Sequence, residues 1–149
     1  MDYIYNYNYQ CGSYYPSDYM MLNDIEEYIN DELSDSRYYA ILATKAPTQR
    51  AKDLLLEFSK DEKNHAENFM KVYYTMTGKY YVPPVINDPK VPDYIEAIKI
   101  RILAESGDFE KYALKYKQAV NPCLQTLFYM TQVKEGQHAM RFPLLMAEK

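Results

Sequence analysis

The chain contains two histidines, and each lies three residues after a glutamate. Glu62 precedes His65, and Glu135 precedes His138. Residues three apart lie on the same face of an α-helix, one turn from each other. A carboxylate and an imidazole placed in this way can bind the same metal centre, and this mixture of ligands suits iron, manganese or zinc. The two motifs therefore predict a metal site that both halves of the chain help to form.

An internal repeat relates the two motifs by a shift of 73 positions, which is the separation of Glu62 and Glu135. The same shift superposes several other pairs without a gap: Ile25 and Ile98, Glu32 and Glu105, Asp35 and Asp108, Tyr39 and Tyr112, Phe69 and Phe142. The halves are therefore predicted to be two copies of one helical hairpin. Two further glutamates, Glu32 and Glu105, then join the candidate ligands.

The spacing of the glutamates places them at one height in the bundle. The first turn centres on Pro47, with Glu32 and Glu62 each 15 residues from it, and the second hairpin has the same spacing around Val120. At 1.5 Å per residue each glutamate lies about 22 Å from its turn, near the middle of its helix. Four carboxylates buried together would repel one another, and two divalent ions would balance their charge. The pattern predicts that Glu62 and Glu135 bridge two metals while Glu32 and Glu105 each complete one.

Apolar residues recur at helical spacing in four stretches, and no segment has the character of a strand. The expected N-caps are Ser17, Thr48 and Asn121, and Gly78 is expected to end the second helix. The segment 78–91 contains three prolines and is a connector that can extend about 46 Å, enough to run the full length of the bundle. The predicted helices span 17–46, 48–77, 92–118 and 121–147.

Composition excludes several other classes. A net charge of -4 and a pI near 5.2 argue against a nucleic-acid binder. No apolar stretch is long enough to span a membrane, and no signal peptide is expected. Without a Cys-x-x-Cys motif a cysteine-based zinc or rubredoxin-type iron site is excluded. Cys11 and Cys123 are expected to be free thiols in a reducing, cytoplasmic protein, with Cys123 a small buried residue.

Residues 3–15, YIYNYNYQCGSYY, account for many of the 18 tyrosines. The segment has low complexity and no apolar stripe of helical spacing. Residues 1–16 are therefore predicted to be an N-terminal arm, either loosely ordered or docked through its tyrosine rings. The bundle is predicted to span 17–149.

The helical segments resemble the ferritin-like di-iron carboxylate proteins, and among them the rubrerythrin branch. The resemblance covers residues 17–147 and is carried by ELSDSRYYA at 32–40, FSKDEKNHAENF at 58–69 and EGQHAMRF at 135–142. It implies an all-α, ferritin-like four-helix bundle of two repeated hairpins, with a long crossover between helices two and three. The six metal ligands implied are Glu32, Glu62, His65, Glu105, Glu135 and His138.

The resemblance is incomplete, and the surroundings of the site stay open. The rubredoxin module of full rubrerythrins is absent, since it would require Cys-x-x-Cys motifs. Asp108 lies where rubrerythrins can carry a second carboxylate of the third helix. The alternative role for Asp108 and its repeat mate Asp35 is to accept a hydrogen bond from a metal-bound histidine. Tyr39 and Tyr112 either bond to the bridging carboxylates or are core aromatics paired elsewhere.

The resemblance implies an oxidoreductase that reduces hydrogen peroxide or oxygen at two metal ions. Iron is expected, with manganese or zinc as alternatives. Electrons would come from a separate donor protein, a homodimer is expected, and neither nucleic acid nor membrane is an expected partner. The alternatives are a non-catalytic, coat-like structural protein that binds metal, and iron storage of the ferritin type.

Overall fold

The computed structural model of the chain describes residues 11–148. This part of the chain is helical and contains no strand, which confirms the all-α prediction. A single helical turn precedes four long helices that form the bundle. The helices are α1 (Pro16–Tyr19), α2 (Leu22–Ala43), α3 (Gln49–Thr77), α4 (Tyr94–Gln118) and α5 (Pro122–Met146).

Three of the predicted helix ends are confirmed by their capping contacts. The Thr48 side chain accepts a hydrogen bond from the backbone N–H of Ala51 at 3.1 Å, so it caps α3. Asn121 caps α5 by accepting from the N–H groups of Cys123 and Leu124. Gly78 ends α3 with φ of 70°, a left-handed conformation that glycine adopts at low cost.

The first predicted helix is wrong at its start, because the chain turns at Met20 and Met21 between α1 and α2. Ser17 is not the cap of this segment. Asp18 is fully buried instead and accepts the N–H groups of Tyr15 and of Val120, at 2.9 and 2.8 Å. The single turn α1 is therefore attached to the turn between α4 and α5. The other bounds differ by a few residues, since α2 ends at Ala43 and α4 begins at Tyr94.

Helices α2 and α3 form one antiparallel hairpin, α4 and α5 form the other, and α3 also lies against α5. The connector 78–93 runs along α2 from the level of Asn30 to just beyond its end, so the two hairpins are joined by a long crossover, as predicted. Side chains of α2 and of the turn after it hold the connector at successive positions: Asn30 contacts Tyr81, Arg37 pairs with Asp88, and Lys45, just beyond α2, donates to the carbonyls of Val91 and Pro92.

Two apolar clusters fill the bundle on either side of its centre. One contains Tyr28, Phe69 and Phe128, and the other contains Phe58 and Phe142. The aromatic rings in each cluster contact one another at centroid distances between 4.9 and 6.4 Å. The layer between the clusters consists of charged and polar side chains. That polar layer is the candidate site.

The two cysteines form a disulfide, which corrects the prediction of free thiols. Cys11 and Cys123 have Cα atoms 5.4 Å apart, and Asn121 donates to the carbonyl of Cys11 at 2.6 Å. The hydroxyls of Tyr14 and Thr75 are also hydrogen bonded, at 2.6 Å. Residues 11–15 are therefore docked against the bundle, whereas the rest of the predicted arm, residues 1–10, lies outside the described residues. Disulfides are typical of oxidising environments.

None of the helices described between residues 11 and 148 combines the length and the apolar character that crossing a membrane requires.

Candidate metal centre

The six predicted ligands come together in the polar layer at the centre of the bundle. None of them exposes more than 6% of its surface. Each of the four long helices contributes: Glu32 from α2, Glu62 and His65 from α3, Glu105 from α4, Glu135 and His138 from α5. The equal distances of the glutamates from their turns therefore correspond to a common level in the structure.

The ligand atoms form two groups that overlap. One group contains Glu32 and His65, the other contains Glu105 and His138, and both contain Glu62 and Glu135. Within each group the ligand atoms lie within 4.8 Å of one another. Such a set can surround two adjacent ions, with two carboxylates placed between them.

Both imidazoles present Nδ1 to the carboxylates. Nδ1 of His65 lies 2.9, 3.0 and 3.2 Å from oxygens of Glu62, Glu135 and Glu32. Nδ1 of His138 lies 2.9 Å from Glu62 and 3.3 Å from Glu105. With Glu135 of its own helix at 3.5 Å from His138, each nitrogen faces carboxylate oxygens of three helices, including its own.

Two carboxylate oxygens give a direct test of whether a metal fits here. Oε1 of Glu62 and Oε1 of Glu135 are buried and have no hydrogen-bond partner among the described residues. They lie 2.9 and 3.0 Å from imidazole nitrogens, yet neither contact has the geometry of a hydrogen bond. Buried oxygens are rarely left without a partner. Cations held by these atoms would satisfy them, so the donor set fits a pair of metal ions.

The site is electrostatically balanced in the absence of metal only if protons take the place of cations. Burial raises the pKa of Glu32 and of Glu105 well above the ordinary value, because the ionised forms are costly in this layer. Burial also opposes ionisation of Glu135, but His65 and His138 outweigh it and hold the pKa of Glu135 well below the ordinary value.

The pKa values of the two imidazoles are raised, whereas burial without partners would lower the pKa of a histidine. Burial lowers the pKa of His65 and His138, but the surrounding carboxylates outweigh it and raise both well above the ordinary value. Burial opposes ionisation of Glu62 as well, but the two imidazoles beside it outweigh burial and lower its pKa. Two imidazolium ions and two carboxylates then balance. Divalent metals would displace these protons.

Tyr39 and Tyr112 contact the site, but not the carboxylates that the sequence suggested. The hydroxyl of Tyr39 donates to Glu105, and the hydroxyl of Tyr112 donates to Glu32. Glu105 and Glu32 each belong to one ligand group only, and we call them the unshared carboxylates; Glu62 and Glu135, which belong to both groups, are the shared ones. The difference follows from the packing, because each tyrosine crosses between α2 and α4, whereas the shared carboxylates belong to α3 and α5.

Arg101 is a buried residue of the site that sequence reasoning missed. Its guanidinium donates to Tyr39 Oη, Asp35 and Glu105, at 2.6, 2.6 and 2.8 Å. Burial raises the pKa of Asp35 to about 6, with Arg101 opposing the rise. The repeat could not reveal Arg101, because the corresponding residue of the first half, 73 positions earlier, is Tyr28 and not a basic residue. The one available signal was its position four residues before Glu105.

The carboxylate behind a histidine is also not one that the sequence suggested. Asp35 pairs with Arg101, and Asp108 pairs with Lys111 at 2.6 Å. The residue that contacts the outer nitrogen of His138 is Asp61, with its Oδ2 3.0 Å from Nε2. Sequence reasoning missed Asp61 because the corresponding residue of the second half is Lys134. The repeat therefore did not single out position 61.

A four-helix bundle in which two helices each give a glutamate and two give Glu-x-x-His defines the ferritin-like class of dinuclear metal carboxylate proteins. The chain belongs to the rubrerythrin family, whose family model matches residues 25–146. It is also similar to the uncharacterised protein YhjR of Bacillus subtilis (strain 168), with 24% identity over 144 residues, which cover 92% of this chain and 98% of that protein. No solved structure matches the chain significantly.

Proposed function

We propose that this protein binds two iron ions at the centre of the bundle and reduces hydrogen peroxide or oxygen there. The observation that carries the proposal is the overlap of the two ligand groups in Glu62 and Glu135, both of which have a buried oxygen without a hydrogen bond. Membership of the rubrerythrin family supports redox chemistry over a purely structural ion. Manganese and zinc suit the same ligand types, so iron is the part of the proposal that metal analysis tests.

Each ligand has a distinct part in this proposal. Glu62 and Glu135 would contribute to holding both ions, since each belongs to both groups. Glu32 and His65 would hold one ion together with them, and their repeat mates would hold the other. The ions, when bound, would supply electrons and Lewis acidity.

The chain supplies the geometry and the protons around the ions. Tyr39 and Tyr112 orient the unshared carboxylates and each hold a proton at a hydroxyl directed at a carboxylate oxygen. Arg101 fixes the Tyr39 hydroxyl in turn. The two apolar clusters flank the layer on both sides and exclude bulk water, which strengthens these interactions.

The electrons come, in this proposal, from a separate donor protein, because the chain has no Cys-x-x-Cys motif for an iron site of its own. A homodimer and a cytoplasmic location remain predictions. The Cys11–Cys123 disulfide makes the location testable. Rapid alkylation of thiols in the producing cells leaves both cysteines unmodified if the protein resides in an oxidising compartment and labels both in a reducing one.

Anaerobic loading with Fe(II) tests the proposed function. We expect about two ions per chain and oxidation of the bound iron that depends on added peroxide or oxygen. Glu62→Ala is expected to abolish both results, whereas Glu67→Ala, a change to an exposed residue of the same helix, should leave them intact. Two bound ions without oxidant-dependent turnover would support a structural role instead. A very large oligomer in size-exclusion chromatography would support storage.

A further inference from the structure

The repeat predicts two equivalent metal positions, but the structure gives the two histidines different surroundings. The six ligands match in pairs under the 73-residue shift. The residues directly behind the imidazoles do not match. The differences are a carboxylate and an aromatic ring, and both favour His138.

The carboxylate is Asp61, which lies 3.0 Å from Nε2 of His138. Its repeat mate is Lys134, a residue that offers no acceptor and instead donates to Asp61 at 3.3 Å. Among the described residues every hydrogen bond and ion pair of His65 is made through Nδ1. The outer nitrogen of His138 therefore has an anionic acceptor, and that of His65 does not.

An acceptor at this position affects metal binding directly. A carboxylate only accepts, so the contact with Asp61 keeps a proton on Nε2, and the nitrogen that would release its proton to a metal is Nδ1, which faces Glu62 and Glu105. The negative charge also makes that nitrogen a stronger donor. Loss of such a partner commonly lowers metal affinity by roughly 10- to 100-fold.

The aromatic ring is Phe58, whose centroid lies 4.4 Å from that of His138. Its repeat mate is Thr131, whose hydroxyl donates to the carbonyl of Leu127. His138 is fully buried under Phe58, whereas His65 retains 6% of its exposure. A well-packed imidazole has less freedom to swing away from a bound ion, so packing favours the same position as the acceptor does.

We propose that the two metal positions are inequivalent: the one formed with Glu105 and His138 fills first and holds its ion tightly, and the one formed with Glu32 and His65 binds the second, exchangeable ion. This rests on the proposed function, since it requires that two ions bind. Asp61 is a positioning residue in this proposal, because it acts through His138 and does not itself belong to either ligand group.

Titration with Mn(II), followed by the electron paramagnetic resonance signal of the free ion, tests the order of filling without any turnover. We expect two separate binding steps for the wild-type chain. Asp61→Asn should weaken the first step by roughly 10- to 100-fold and leave the second within about twofold, so that the steps merge. Asp53→Asn, which removes the same charge from an exposed position of α3, should leave both steps unchanged.

The histidines themselves test the assignment without a change at Asp61. His138→Ala should lose the tight step, and His65→Ala should lose the weak one and retain the tight one. Two wild-type ions of equal affinity, or an unchanged first step in Asp61→Asn, would overturn the inequivalence while the dinuclear site stands. Fewer than about two ions bound by the wild-type chain would overturn the proposed function and this inference together.

Discussion

Tyr39 donates a hydrogen bond from its hydroxyl to the carboxylate of Glu105, across the bundle from α2 to α4. Tyr112 makes the corresponding contact in the opposite direction, from α4 to Glu32 on α2. Both tyrosines are fully buried. The two hairpins are therefore joined at the level of the site by the same groups that orient its unshared carboxylates.

The two tyrosines differ in one contact, and we expect their phenylalanine variants to differ accordingly. The hydroxyl of Tyr39 also accepts from Nε of Arg101 at 2.6 Å. Tyr39→Phe leaves a buried guanidinium N–H and a buried carboxylate each without this partner, and should lower the free energy of unfolding by about 2–3 kcal/mol. Tyr112→Phe removes one contact and should cost about 1 kcal/mol. Urea unfolding measures both.

The control for this pair is Tyr116→Phe, a change at an exposed tyrosine that stacks on Tyr129. It should change stability by less than about 0.5 kcal/mol. A larger loss for Tyr112→Phe than for Tyr39→Phe would show that Arg101 does not depend on the Tyr39 hydroxyl.

Arg101→Met should be among the most destabilising changes in the polar layer. It removes the cation that pairs with Asp35 and with the buried Glu105, at 2.6 and 2.8 Å. Removing one partner of a buried ion pair costs roughly 3–5 kcal/mol, because the remaining charge is uncompensated. Arg37→Met breaks an exposed pair with Asp88 and should cost about 1 kcal/mol or less. Equal losses of urea stability in these two variants would contradict the role assigned to Arg101.

The metal-free protein should lose stability as pH rises above the unfolded pKa values of its glutamates and histidines. In the folded protein nearby carboxylates raise the pKa values of His65 and His138. Burial raises the pKa values of Glu32 and Glu105. Such groups stabilise the fold below their unfolded values, 6.5 for histidine and 4.5 for glutamate, and this is lost as pH passes through the raised values. The pKa values of Glu62 and Glu135 are lowered in the folded protein. These two groups therefore stabilise the fold above pH 4.5, the unfolded value, and this stabilisation is lost in acid.

The metal-free stability should therefore be greatest near pH 4.5, the unfolded value of glutamate, and should decline above it, with the histidines adding to the decline above their unfolded value of 6.5. Urea midpoints measured with a chelator at pH 5.5 and 8.5 test this. The metal-loaded protein is the contrast, since ligands must lose protons to bind metal and its stability should increase with pH. A metal-free protein that is more stable at pH 8.5 than at pH 5.5 would contradict these pKa directions.

The Cys11–Cys123 disulfide should contribute to stability without affecting the site. It closes a segment of 112 residues, for which loop-closure entropy gives about 4–5 kcal/mol, and engineered comparisons commonly give less. The double variant Cys11→Ser, Cys123→Ser should lower the free energy of unfolding by about 2–4 kcal/mol. Cys123 precedes Glu135 by about 18 Å along α5, so metal binding should be unchanged.

A reductant provides the matched control for that variant. It should lower the urea midpoint of the wild-type chain to that of the double variant and leave the double variant unchanged. Equal stability of the oxidised and reduced wild-type chains would show that the docked segment 11–15 does not constrain the unfolded chain.

The residues that the sequence revealed are those that obey helical spacing and the repeat. Glu32 and Glu105, at equal distances from their turns, could be placed beside the Glu-x-x-His motifs because regular helices convert sequence distance into height. The long crossover followed from the length and proline content of the connector. These features depend on local structure, which a single sequence carries.

The residues that the sequence did not reveal depend on contacts between distant segments. Asp61 and Arg101 break the repeat, so the strongest signal in the chain gave no indication of them. The disulfide of Cys11 depends on docking against the start of α5, where Asn121 binds the carbonyl of Cys11. Two cysteines 112 residues apart show no pairing in sequence.

An anomalous-scattering map of crystals loaded with Fe(II) tests the central claim most directly. The dinuclear site predicts two iron peaks per chain in the polar layer, with Glu62 and Glu135 each contacting both peaks and one histidine contacting each peak. Glu62→Ala crystals should lose at least one peak while the bundle remains folded. One peak or none in the centre of the fully loaded wild-type protein would contradict the dinuclear site.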